Sequence, residues 1–189
     1  DGIMARSHIL IDRQNGRITL IVDETDPYYN SIIRGEIRLN PEFKKFQINE
    51  PGAAKGLTQM ADFVKMNRIY FDDPRVAMQL VAELKNFKAK INREIEKSTD
   101  GRGNDRNLFE QKVQSNLPKG FILKMPIFKN EAPRKFMVDI NIIVRDSEMT
   151  CYLESLEAND IIREESQALI DNEIKQIEET APGIVIIEE

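Results

Sequence analysis

Residues 135–144 read Lys-Phe-Met-Val-Asp-Ile-Asn-Ile-Ile-Val, and this stretch decides the fold. Phe136, Val138, Ile140, Ile142 and Val144 alternate with Met137, Asp139, Asn141 and Ile143. A period of two puts one set of side chains in a core and the other toward solvent or a second layer, which is the pattern of a strand. Arg145-Asp146-Ser147-Glu148 reads as a turn, after which Met149, Cys151 and Leu153 alternate with Thr150, Tyr152 and Glu154 in a second strand. Upstream, Phe121, Leu123, Met125 and Ile127 share one face of a third strand. Pro126 has no N–H to give, which predicts a sheet edge or a bulge. Asn130 and Pro133 mark the turn between these two strands. Leu108 to Ser115 reads as a weaker fourth strand, with Phe109 and Val113 alternating with polar residues. Short links favour antiparallel pairing, because parallel pairs need long crossovers. The expected centre is therefore an antiparallel β-meander over residues 107–154.

Two long helices flank it. Asp73-Pro74 is a helix start: the carboxylate accepts from free N–H groups, and proline suits the first helical position. The helix is expected to run to Lys97, with an apolar stripe of Val76, Leu80, Leu84, Phe87, Ile91 and Ile95 in steps of three and four. A narrow stripe of this length serves either as a helix laid across a sheet or as an oligomer seam between chains. The second helix is expected over Leu156–Glu179, capped by Ser155 and stopped by Ala181-Pro182-Gly183. Ile184 to Ile187 is a final β-type run.

The N-terminal forty residues predict a small three-stranded β-unit. Apolar runs at His8–Arg13 and Ile18–Val22 flank Asn15-Gly16, a hairpin signal, and Ser31–Leu39 alternates as a third strand. A shorter helix is expected over Leu57–Met66, with Leu57, Met60, Ala61 and Val64 on one side. The resulting division is a β-unit at 1–40 and an α+β core domain at 41–189.

The 189-residue length fits one domain, or a domain with an appendage. Apolar residues make up 41% of the chain, enough for a core. No apolar run approaches the roughly 18 residues that would span a bilayer, and the N-terminus lacks a signal-peptide pattern. One cysteine, Cys151, excludes an internal disulfide and suits a reducing cytoplasm. The first methionine is Met4, and the chain reads as a fragment of a longer one. The net charge of −5 is unevenly spread. Residues 146–189 hold thirteen acidic and two basic residues, a net of −11, whereas residues 1–145 carry a net of +6. A basic body suggests a surface for nucleic acid, although the same charges can simply solvate exposed faces. The basic candidates are Lys85, Lys88, Arg93 and Lys97, then Arg102 and Arg106 in a polar loop from Ser98 to Arg106, and Lys112, Lys119, Lys124 and Arg134. The aromatic residues Phe121, Phe128, Phe136 and Tyr152 could stack bases or form core; parity suggests that Phe128 and Tyr152 are the exposed pair.

No catalytic pattern emerges. The single histidine, His8, cannot form a metal cluster and has no nucleophile or acid beside it by motif. Cys151 sits among apolar neighbours and reads as a buried, inert thiol. Asp139 is expected to pair with a Lys or Arg. Gly101-Arg102-Gly103 lacks the pattern of a phosphate-binding loop. No cofactor, metal or enzymatic activity is expected.

The run Asn116-Leu117-Pro118-Lys119-Gly120-Phe121-Ile122-Leu123-Lys124-Met125-Pro126-Ile127-Phe128 resembles a segment of the YfdQ-like family of uncharacterised phage and prophage proteins. Phe136–Arg145 and Glu148–Glu154 are similar to that family's next two strands, and Glu178-Glu179-Thr180-Ala181-Pro182-Gly183 to its ending. This chain has Lys129-Asn130 where the family usually has glycine, and it lacks a tryptophan near Tyr152. The resemblance implies a phage setting, the cytoplasm of a bacterial host, and no established activity or site residues. Two functions follow as expectations. One is single-stranded nucleic-acid binding by the basic set. The other is a protein-interaction module, either a homo-oligomer using the Val76–Ile95 stripe or an inhibitor of a host protein.

Overall fold

A computed structural model describes residues 2–26, 28, 30–98, 105–145 and 148–189. The protein is mixed α+β. Among the described residues it has five α-helices and two four-stranded sheets. The chain forms two compact units, one of residues 1–39 with 159–189 and the other of residues 40–158.

The first unit is built on the hairpin of β1 (His8–Asp12) and β2 (Arg17–Val22). Gly16 takes φ 62°, and the Asp12 carboxylate accepts from the Asn15 backbone N–H at 2.9 Å and from its side-chain amide at 2.7 Å. That fixes a register with Ile9 opposite Leu20 and Ile11 opposite Ile18. β3 (Ser31–Glu36) adds antiparallel to β2. The sequence predicts three strands here, but a fourth completes the sheet: β8 (Val185–Glu188) pairs in parallel with β1, giving the order β3-β2-β1-β8. One face carries Ile9, Ile11, Ile18, Leu20 and Ile186, which pack with Ile170, Ile174 and Ile177 of the last helix, α5 (Leu156–Thr180). Residues 159–189, assigned from sequence to the second domain, thus belong with the N-terminal strands. A bare sheet has no partner for its apolar face, and α5 supplies one. Arg13 ties the pieces together, reaching Asp171 of α5 at 2.8 Å and Glu188 of β8 at 2.9 Å.

At the other end of the hairpin, Arg6 grips Asp23 through two parallel bonds of 2.7 and 2.8 Å. The hydrogen bond from Arg6 holds the Asp23 carboxyl below its ordinary value of 3.8. A depressed carboxyl stabilises the fold above the unfolded value, and the contribution fades as pH falls through the folded one. The melting temperature of the wild type should therefore exceed that of Arg6→Gln at pH 6. The gap should close as the pH is taken well below 3.8. A gap that stays constant from pH 6 to strong acid would count against the clamp.

The second unit holds the meander. β5 (Phe121–Met125), β6 (Arg134–Arg145) and β7 (Glu148–Glu154) pair antiparallel in sequence order, and the two-residue β4 (Lys55–Gly56) joins β7. β5 is the sheet edge and ends one residue before Pro126. Phe121, Leu123, Met125, Phe136, Val138, Ile140, Cys151 and Leu153 are buried. Four further segments are helical: α1 (Pro41–Lys45), α2 (Leu57–Met66), α3 (Pro74–Ser98) and α4 (Asp105–Ser115). α2 packs on α3 and β7, α3 on α4, and α4 on β6. Helix α4 corrects the sequence reading, which made residues 108–115 a strand; it also takes in residues 105 and 106 of the expected 98–106 loop, of which 99–104 lie outside the described residues. Phe109 and Val113 are four apart, a spacing that satisfies one helical turn as well as alternation. The expected turn residues Asp146 and Ser147 lie outside the described residues.

The junction of β7 and α5 is held by polar groups. The Ser155 hydroxyl accepts from the Ala158 N–H at 3.0 Å, as an N-cap, and donates to the Met137 carbonyl. Asn49 takes φ 65°; its side-chain carbonyl accepts from the Ser155 N–H at 2.8 Å and its amide donates to the Ser155 carbonyl at 2.9 Å.

Candidate functional site

A concavity of the second unit lies between α3 and the segment 116–121 that leads into β5. Its position follows from the sequence. α3 turns its stripe of Leu80, Leu84, Phe87 and Ile91 inward, so the flank beside that stripe faces the incoming strand. Asn116 ends α4 with its backbone N–H on the Val113 carbonyl, and its side chain reaches Glu94 of α3 at 2.8 Å. That latch fixes the distance between the walls.

The groove has a volume of about 800 Å³. Leu80, Phe87 and Phe121 form its floor, and Phe121 is backed by Phe71, whose ring stacks on it at 4.5 Å. Val76 and Leu117, each 38% exposed, stand at the rim. The polar lining is Gln79, Glu83, Asn86, Lys90, Asn116 and Lys119. Apolar floor and amide-rich rim are the composition of a binding groove, where a few polar groups orient what the floor attracts. Nothing in the lining pairs a nucleophile with a base. Among the described residues no cluster of three or more His, Cys, Asp or Glu side chains could hold a metal ion.

Searches against protein-family models, curated proteins and solved structures return no match for this chain.

The basic residues singled out from sequence do not form one stripe. Lys119 lines the groove together with Lys90. Arg93 follows Lys90 by three residues, nearly one turn, and falls on the same flank of α3. Lys85 lies on another flank, 3.3 Å from Asp62 of α2, and Lys88 is exposed. Lys112 is half-buried on α4. Lys124 and Arg134 are exposed on β5 and β6, where Lys124 stands opposite Lys135. Arg102 and the side chains of Lys97 and Arg106 lie outside the described residues. The sequence signal that could have found the groove is Lys90 at seven residues from Glu83 and four from Asn86, a polar line beside the apolar stripe.

The remaining candidates resolve simply. Leu80, Leu84, Phe87 and Ile91 are buried within the second unit, and Ile95 is half-buried. The middle of the stripe is core, because α2 and α4 pack against the helix that carries it, whereas Val76 at its start is exposed at the groove rim. Phe121, Phe128 and Phe136 are buried, and of the three only Phe121 lines the groove; the parity argument for Phe128 fails because β5 ends at Met125 and alternation ends with it. Tyr152 is half-buried. Cys151 is buried, and burial pushes its thiol up to about 12, so no thiolate forms at neutral pH. His8 sits 3.2 Å from Glu24. Asp139 is exposed and its carboxylate hangs over Gly120.

Proposed function

We propose that this chain is a non-enzymatic binding module of phage or prophage origin that works in the cytoplasm of its bacterial host. Its α3 groove takes an acidic, amphipathic segment of a partner protein, from the phage or the host. The observation that carries the reading is the groove itself: an apolar floor of Leu80, Phe87 and Phe121, rimmed by amides, by Lys90 and Lys119 and by one carboxylate, Glu83. Partner side chains such as Leu or Phe would fill the floor, and carboxylates would meet the two lysines. The setting rests on the sequence resemblance alone. The test is selection from a displayed peptide library. Winning peptides should combine Asp or Glu with Leu, Phe or Ile, and their affinity should fall at least about tenfold in Leu117→Glu/Lys119→Glu, one lost anchor being worth about 1–2 kcal/mol. They should bind Lys124→Glu unchanged. Binding indifferent to the groove substitutions would overturn the reading.

A second reading, single-stranded nucleic-acid binding, is favoured by the charge partition. Residues 40–158 carry twenty basic and seventeen acidic residues, a net of +3, whereas the other unit is at −8. With three of the candidate aromatic residues buried, such binding would act through phosphates. Its affinity for a short oligonucleotide would then fall steeply between roughly 50 and 200 mM salt.

A further inference from the structure

The edge of the first unit's sheet is open. β3 is one of the two outer strands, β8 being the other, and every one of the six residues of β3 is exposed. Ile32 and Ile33 project to opposite faces and are 53% and 60% exposed. Soluble proteins guard such an edge with lysines, prolines, bulges or a covering element, because its free N–H and C=O groups invite another strand. β3 contains no lysine and no proline.

The backbone says which residues offer those groups. Ile37, just beyond β3, donates its N–H inward to the Gly16 carbonyl at 2.9 Å. Backbone direction alternates along an antiparallel strand. Ile33 and Gly35 therefore also point toward β2, and Ile32, Arg34 and Glu36 point their N–H and C=O groups outward. A strand added antiparallel must match outward residues with outward residues. For a second copy of β3 this leaves few two-fold registers. Centring on Arg34 sets two arginines against each other. Centring on Ile33 sets Arg34 against Ile32. Centring on Gly35 sets Arg34 against Glu36 of the second copy twice over, with Ile33 against Ile37 on the other face. Opposite charges directly across a ladder stabilise it, and like charges destabilise it. Arg34 has no carboxylate partner of its own among the described residues, so its charge is available. The charges at this edge are Arg17, Arg34, Arg38 and Glu36, a net of +2 per copy, and Glu36 already lies 3.4 Å from Arg17 and 3.9 Å from Arg38, so the crossed pairs add Arg34 of the second copy to a carboxylate that its own chain also holds.

We infer that two copies of this chain pair through β3, antiparallel about Gly35, to make one continuous eight-stranded sheet. The paired segment is short, so the dimer is reversible and concentration-dependent. β3 shares no residue with the lining of the α3 groove, and its test does not depend on the groove reading.

The experiment is light scattering of the full chain over a concentration series, followed by cysteine cross-linking. The wild type should rise from its chain mass of 21.8 kDa toward twice that value. Arg34→Glu replaces two attractive pairs by two repulsive ones and should raise the dissociation constant about tenfold or more. It faces Thr19 within its own sheet, so the fold tolerates it. Triple substitution R17E/R34E/E36R keeps the pair with β2 and restores dimerisation. Gly35→Cys should form a disulfide across the two-fold axis, because opposed residues of a non-hydrogen-bonded pair lie about 4.5 Å apart. A Cβ at Gly35 meets only the Ile18 carbonyl, at 3.9 Å. Arg34→Cys should not cross-link, its copies lying beyond the reach of about 7 Å. A wild type monomeric at all concentrations overturns the inference, as does cross-linking of Arg34→Cys in place of Gly35→Cys.

Discussion

Substituting Leu84 or Ile91 by aspartate should unfold the second unit rather than split an oligomer. Leu84 is 1% exposed and Ile91 is 0% exposed, each enclosed where α3 meets its neighbours. A carboxylate there finds no partner and must either stay charged in an apolar site or take up a proton against its ordinary value. Adding the lost apolar contacts, the penalty is on the order of 5 kcal/mol or more, comparable with the whole stability of a domain. Circular dichroism should show loss of the cooperative melt in both variants. Val76→Asp is the control. It belongs to the same stripe by spacing but stands at the groove rim, and should melt within about 1 kcal/mol of the wild type. A folded, cooperatively melting Leu84→Asp chain of halved mass would instead make the stripe intermolecular.

That contrast shows how much the sequence discloses. The period-two run from Phe136 to Val144 and the three-four stripe of α3 each have a single physical reading, and both elements stand where the pattern puts them. The cap at Asp73 and the stop at Gly183, with φ 92°, are equally local signals. Two kinds of information were not local. Residues 108–115 are short enough that one spacing fits helix and strand alike, and tertiary packing of Val113 decides for the helix. The pairing of β8 with β1 joins residues about 177 apart through parallel bonds, and no alternation in Val185–Glu188 names its partner. For the site, burial was the missing quantity. Phe121 and Phe136 look the same in sequence whether they stack on a base or fill a core, and Lys90 and Lys119 share a groove only because Asn116 draws their segments together.

Gly120→Val is expected to destabilise the second unit by about 2–3 kcal/mol, the range of overpacking a close contact. The residue lies at the mouth of β5, next to Phe121, which pairs with Val138 of β6. A Cβ built on it would come within 2.5 Å of the Asp139 carboxylate and 2.8 Å of the Val138 carbonyl oxygen, with the Met137 sulfur at 3.2 Å. These obstacles are unequal. Asp139 is exposed and can swing away, but the Val138 oxygen belongs to the backbone of a paired strand and cannot move without disturbing β6. The loss should appear as a melting temperature lower by roughly 5–10 °C. Removing the movable obstacle separates the two: Gly120→Val/Asp139→Ala should recover only a minor part. Full recovery would show that the side chain alone sets the demand for glycine. The same substitution reaches the groove, because Gly120 lines it between Lys119 and Phe121. A backbone pushed off β6 shifts Lys119 relative to Lys90, so peptide affinity should fall further than the change in folded fraction accounts for. Leucine or valine at Gly120 therefore tests, in one position, whether the close approach of the chain to β6 is what shapes the groove.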